Sequence, residues 1–126
     1  MASHAMMVPL PAENLEDWKT FAMEAAGPRR RELEDMNRRH GLTRHAAWLQ
    51  PNPDGTYGVI VLLEGPRADG FHAAVATSSH AFDRWFTEQV QRVHRIDLSA
   101  VVPSSTLHLD ARTESAERGA QEVARA

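Results

Sequence analysis

The stretch from Thr43 to Glu64, TRHAAWLQPNPDGTYGVIVLLE, decides the fold. Its middle, Pro51-Asn52-Pro53-Asp54-Gly55, is dense turn chemistry. The prolines fix φ, Asn52 and Asp54 can bond their own backbone, and Gly55 accepts a left-handed conformation. The flanks, Thr43 to Gln50 and Thr56 to Glu64, are strand-like, so the stretch reads as a β-hairpin with a loop of about five residues. Placing Gln50 opposite Thr56 sorts the side chains into two faces. Arg44, Ala46, Trp48, Gly58, Ile60 and Leu62 share one, and His45, Ala47, Leu49, Tyr57, Val59, Val61 and Leu63 share the other. In this register Trp48 lies opposite Gly58, where a ring can cover the vacant side. Arg44 and Trp48 are expected to face away from the helices, with Glu64 and His108 as candidate partners for the Arg44 charge.

Working outward, Ala5 to Leu10 reads as a first strand, with Pro9 near its end. Leu15, Trp18, Ala22 and Ala25 then recur at helical spacing, with Glu13, Glu16 and Asp17 at the positive end of the dipole. Gly27-Pro28 interrupts the helix, and Pro28 suits the first position of a renewed one. Leu33, Met36 and His40 continue its buried face, Arg29 to Arg31 and Arg38-Arg39 are expected in solvent, and Gly41 is placed as the cap. After the hairpin come a short Ala-rich helix over Ala68 to Ala76, a capping stretch Thr77-Ser78-Ser79, and a helix whose stripe is Phe82, Trp85, Phe86, Gln89, Val90 and Val93. Ser105 to Asp110 reads as a last strand. The order β-α-β-β-α-β predicts an α+β, ferredoxin-like fold with a four-stranded antiparallel sheet and helices on one face.

The third strand breaks the alternation that such a sheet requires. Val59 to Leu63 is apolar without a gap, which marks a strand covered on both faces. The helices cover one, and a second copy of the same sheet is the simplest cover for the other. Hence the sequence predicts a homodimer packed sheet to sheet as a dimeric α+β barrel.

Composition bounds the rest. The chain has 126 residues, one domain's length, and 42% hydrophobic residues, enough for one core. It has no cysteine, which excludes disulfides and thiolate-ligated metals. A net charge of −3 argues against nucleic acid as a partner. The run Arg29-Arg30-Arg31 is followed by Glu32, Glu34 and Asp35, a charge-laced helix surface. No apolar run approaches the ~20 residues of a membrane helix. No secretory signal precedes the first strand, so a cytoplasmic location is expected. Met-Ala-Ser-His-Ala at residues 1–5 reads as a tag remnant, 6–111 as the single domain, and 112–126 as a flexible or frayed-helical tail.

The chain resembles the dimeric α+β barrel superfamily of antibiotic-biosynthesis-monooxygenase-like and stress-responsive barrel proteins, and within it a bacterial branch of uncharacterised ferredoxin-like domains. The resemblance spans residues 6–110. It is carried by Val8-Pro9-Leu10, by Trp48-Leu49-Gln50 with Gly55-Thr56-Tyr57, and by Ser78-Ser79-His80-Ala81-Phe82-Asp83-Arg84. It implies a small organic ligand held between sheet and helices or inside the barrel, in a pocket lined by aromatics. Haem-degrading members use an asparagine on the first strand, where this chain has Met6, Met7 and Val8.

His80 and Arg84 are the candidate catalytic pair, since they open a helix where an anion is favoured. His80 would serve as acid or base, and Arg84 would hold a carboxylate or enolate. The plain structural alternative is capping by Ser79, with Asp83 complementing the dipole. Arg44, His45, Trp48, Tyr57, His72 and Trp85 are candidate ligand-binding residues; Trp85, on the apolar stripe of its helix, is read first as core, and Trp48 as either core or pocket wall. The expected function is that of a cofactor-independent oxygenase or isomerase-type acid–base enzyme. The alternatives are a non-catalytic ligand-binding domain, or a haem or metal binder using His72, His80 or His94.

Overall fold

The computed structural model of the protein describes residues 3–100 and 103–113. Most of the tail assigned to 112–126 lies outside the described residues. The first strand, β1 (Ser3–Leu10), starts inside the stretch read as a tag remnant: Ser3, His4 and Ala5 pair with Glu64, Leu63 and Leu62. A 3-10 turn at Ala12–Asn14 leads into α1 (Leu15–Ala26), and α2 (Arg30–Arg39) follows after the Gly27–Arg29 turn, two residues later than Pro28 suggests. Strands β2 (Arg44–Pro51) and β3 (Tyr57–Glu64) form the hairpin. A second 3-10 turn at Ala68–Gly70, then α3 (Phe71–Ala76) and α4 (Ala81–His94), complete the described elements. No helix among the described residues is long and apolar enough to cross a membrane.

The fold class is α+β, and the sheet has three antiparallel strands in the order β1-β3-β2. The expected fourth strand is not formed. Ser105 to Asp110 makes no ladder, and its one backbone bond to the sheet is Ser105 N–H to the Ala5 carbonyl at 2.7 Å.

The hairpin register also differs from the expectation. Gln50 faces Gly58 and Trp48 faces Ile60, a slip of two residues. The turn explains it. Asp54 Oδ1 accepts from both the N–H and the hydroxyl of Thr56, at 3.0 and 2.6 Å, and Asn52 N–H bonds the Thr56 carbonyl. Thr56 is thereby drawn into the loop, and Pro51 opposite Tyr57 becomes the first strand pair. A two-residue slip preserves the faces, because side chains alternate with period two. Trp48 therefore does not cover Gly58. Met7 does: its sulfur lies 2.8 Å from where a β-carbon on Gly58 would sit.

All helices pack on one side of the sheet. Met6, Val8 and Leu10 of β1 and Val59, Val61 and Leu63 of β3 meet Phe21, Met36, Phe71, Phe82, Phe86 and Val93. Among the described residues nothing covers the other side: Met7 is 53%, Trp48 47% and Ile60 36% exposed. Gly41, at φ +79°, ends α2 in a left-handed cap, with Leu42 N–H bonding the Asn37 carbonyl at 2.8 Å.

Among the described residues one charged group is sealed inside. Asp83, in the first turn of α4, has 0% exposure. Its carboxylate accepts two bonds from the Arg39 guanidinium (2.7 and 2.8 Å), one from His40 Nε2–H (2.8 Å) and one from the Ser78 hydroxyl (2.7 Å). Three sequence expectations are corrected here. The N-cap of α4 is His80 and carries no side-chain cap bond, so Ser79 does not cap the helix, while Ser78 donates to Asp83; Arg39 is paired with Asp83 rather than left to solvent alone. Arg29 is not solvated either: its guanidinium lies 4.4 Å from the Trp85 ring centre and 4.9 Å from that of Phe82.

Burial pushes the Asp83 carboxyl up, but the bonds from Arg39, His40 and Ser78 outweigh it and hold the group well below the usual carboxylate range. Breaking a buried pair leaves an uncompensated partner, so Asp83→Asn is expected to cost about 3 kcal/mol, the low end because Arg39 retains contact with water. A depressed carboxyl stabilises the fold above the unfolded aspartate pKa of about 4 and loses that contribution as pH falls further. Acid unfolding followed by circular dichroism should therefore show a component below about pH 4 in the wild type that Asp83→Asn lacks.

Candidate functional site

A cavity of about 230 Å³ lies between the sheet and the helices. Its floor is Met6, Val8, Val59 and Val61, and α1 contributes Trp18, Phe21 and three alanines, Ala22, Ala25 and Ala26. The alanines explain the space. Ala25 is buried and Ala22 half-buried at the cavity, with the exposed Ala26 at its edge, where larger side chains would fill the gap. Phe86, Val90 and His94 of α4 close another wall.

The polar groups of the cavity are three imidazoles and the Trp18 indole. His45 comes from β2, His72 from α3 and His94 from the last turn of α4. The His45 ring stands edge-on to Phe71 at 5.3 Å and to Phe86 at 5.9 Å, and its Nδ1 bonds Asn37 Oδ1 at 3.1 Å. Nδ1 of His94 bonds the Pro9 carbonyl at 2.9 Å. His72 packs edge-on against Phe71 at 5.3 Å.

Each imidazole is held neutral. Burial, reinforced by the neighbouring His72, brings the His45 pKa down to about 4. Burial, with a smaller contribution from His4, brings His72 to about 4. Burial also lowers His94, against an opposing bond to the Pro9 carbonyl. At neutral pH all three offer hydrogen bonds without charge.

The other sequence candidates lie elsewhere. His80 and Arg84 are exposed at the start of α4, with His80 Nδ1 4.0 Å from Asp83 Oδ1, and neither lines the cavity. Arg44 and Trp48 are on the uncovered sheet face, and Arg44 reaches Glu64 at 3.4 Å. Tyr57 packs half-buried at the hairpin end of the core. Trp85 lies against Phe21 and Phe82, with ring centres 5.6 and 5.4 Å away. Of the candidates, only His45 and His72 line the cavity together. The sequence offers His94 only as a haem or metal ligand, although it falls four residues after Val90 and eight after Phe86, on the same helical stripe. Among the described residues, no group of three or more histidine or acidic side chains is arranged to hold a metal ion.

No protein-family model, curated protein or solved structure matches the chain.

A histidine depressed in the folded state gains a proton more readily when unfolded, so stability is complete above pH ~6.5 and falls as pH drops toward about 4. The loss is at most about 3 kcal/mol for each of His45 and His72. Thermal melts between these pH values should show a steep decline in Tm, and His45→Phe or His72→Phe should flatten it. An unchanged pH slope in both variants would show that these rings are not the groups responsible.

Proposed function

We propose that the protein binds a small, largely apolar organic molecule in the cavity between its sheet and helices, as a homodimer packed through the uncovered sheet face. The carrying observation is the cavity itself: about 230 Å³, walled by Trp18, Phe21, Phe86 and aliphatic side chains, with a few uncharged polar groups. Apolar walls with a small number of placed hydrogen-bonding groups are the usual makeup of a small-molecule site. Binding is favoured over acid–base catalysis because an effective base titrates near the working pH, and His45 and His72 titrate at about 4. The pair read as catalytic, His80 and Arg84, stands outside the cavity.

Support for the dimer comes from the sheet. Met7, Trp48 and Ile60 form an exposed apolar row on a face that no element of the described chain covers. Exposed apolar patches of this kind mark interaction sites. The fourth strand of a ferredoxin-like sheet would lie at the open edge of β1. Ser105 already bonds Ala5 there, and Leu107 and Leu109, 75% and 82% exposed, alternate with polar residues.

Two measurements test the reading. Native mass spectrometry should give a two-chain mass that Ile60→Glu or Trp48→Glu reduces to one, through a dimer at least ~10-fold weaker; a single-chain mass for the wild type would remove the dimer. Methylnaphthalene should raise the wild-type Tm and shift amide signals around Phe21 and Val61. Ala22→Leu fills the cavity and should weaken that binding by about tenfold or more. Equal binding by Ala22→Leu would place the ligand elsewhere.

A further inference from the structure

The cavity's hydrogen-bonding groups specify what its ligand must bring. The partner of His94 Nδ1 is a backbone carbonyl, which can only accept, so the ring proton sits on Nδ1. The partner of His45 Nδ1 is the Asn37 side-chain oxygen, also an acceptor. A neutral imidazole carries one N–H. Both rings have committed theirs to the protein, and each keeps a lone pair on Nε2. His45 and His94 are thus two acceptors, on β2 and α4, that line one apolar cavity.

We infer that the ligand is a neutral, hydroxyl-bearing, mainly apolar molecule whose O–H donates to Nε2 of His45 or His94. The inference rests on the reading of this cavity as a ligand site and adds the ligand's chemical class. Three features narrow it. No charged side chain lines the cavity among the described residues, so a carboxylate would lose its hydration with no cation to replace it, and would face two lone pairs. An ether or a pure hydrocarbon has no donor and leaves a buried acceptor unsatisfied. A hydroxyl both donates and accepts, so its oxygen can also take a bond from the Trp18 indole N–H or from His72. His72 is tied by no hydrogen bond among the described residues and can present either nitrogen. Size sets the scale: an engineered apolar cavity of about 150 Å³ accommodates benzene, so this larger one suits a compound of one or two rings.

A matched series on the full-length protein tests this: β-naphthol, its methyl ether, methylnaphthalene and naphthoate, each titrated by calorimetry. β-Naphthol is expected to bind about tenfold tighter than the ether or the hydrocarbon, and naphthoate weakest. On His94→Phe or His45→Phe, the ratio of naphthol to hydrocarbon affinity should collapse toward one. Equal affinity of naphthol and its ether, or tighter binding of naphthoate, would overturn the hydroxyl requirement while leaving the cavity a binding site. Failure of every compound, methylnaphthalene included, would overturn the binding reading itself, and this inference with it. A long-range proton–nitrogen spectrum of histidine-labelled protein gives a check that needs neither ligand nor variant. His45 and His94 should both show the lone-pair signature at Nε2, and a proton on Nε2 of both rings would refute the assignment.

Discussion

The buried Asp83 carboxylate organises the helical layer. It joins the end of α2, through Arg39 and His40, to the start of α4 and to Ser78 just before it. A charge with no exposed surface is tolerable only when its acceptor positions are filled, and here four donated bonds fill them. Such a junction is directional in a way that apolar packing is not. It holds the first turn of α4 against α2, and the rest of α4 then runs across the sheet to deliver Phe86, Val90 and His94 to the cavity wall. The polar junction sits at one end of the helix and the cavity toward the other, so the same element is anchored at its start and lines the cavity further on.

The cavity follows from a second constraint. Natural cores fill their volume, and a void among packed side chains forfeits dispersion contacts. Three alanines on α1 leave such a void, and three histidines around it accept desolvation that drives their pKa values down. Either feature alone costs stability. Together, unfilled volume and uncharged polar groups are what the proposed binding of a largely apolar molecule would use. The same histidines, lowered by burial, are expected to make stability decline as pH falls.

Much of this was legible in the sequence. The hairpin, the helices and the partition of β2 and β3 into two faces follow from turn chemistry and from periods of two and of three to four residues. What escaped has physical reasons. The register slipped by two because Asp54 captures Thr56, a side-chain contact that alternation does not encode. Asp83 looked like a dipole residue because its principal partner, Arg39, is 44 positions away, and no local pattern announces so distant a pair. The sequence offers His45 and His72 as binding residues and His94 only as a haem or metal ligand, because nothing local shows that the three rings, from β2, α3 and α4, meet around one cavity. The exposed pair His80 and Arg84 drew attention through local motif, whereas the cavity is a property of tertiary packing.

The third strand reconciles the two sides of the molecule. Its unbroken apolar run, Val59 to Leu63, resolves into alternating duties. Val59 and Val61 floor the cavity and Leu63 fills the core, while Ile60 and Leu62 point to the uncovered face. A strand serving only the helical layer would need hydrophobic residues at every second position. The extra two raise the exposed apolar area of the lone chain, a liability unless that face is occupied. Val59 and Val61 alternate with Ile60 and Leu62 along one backbone, so the cavity floor and the uncovered face are two sides of a single strand.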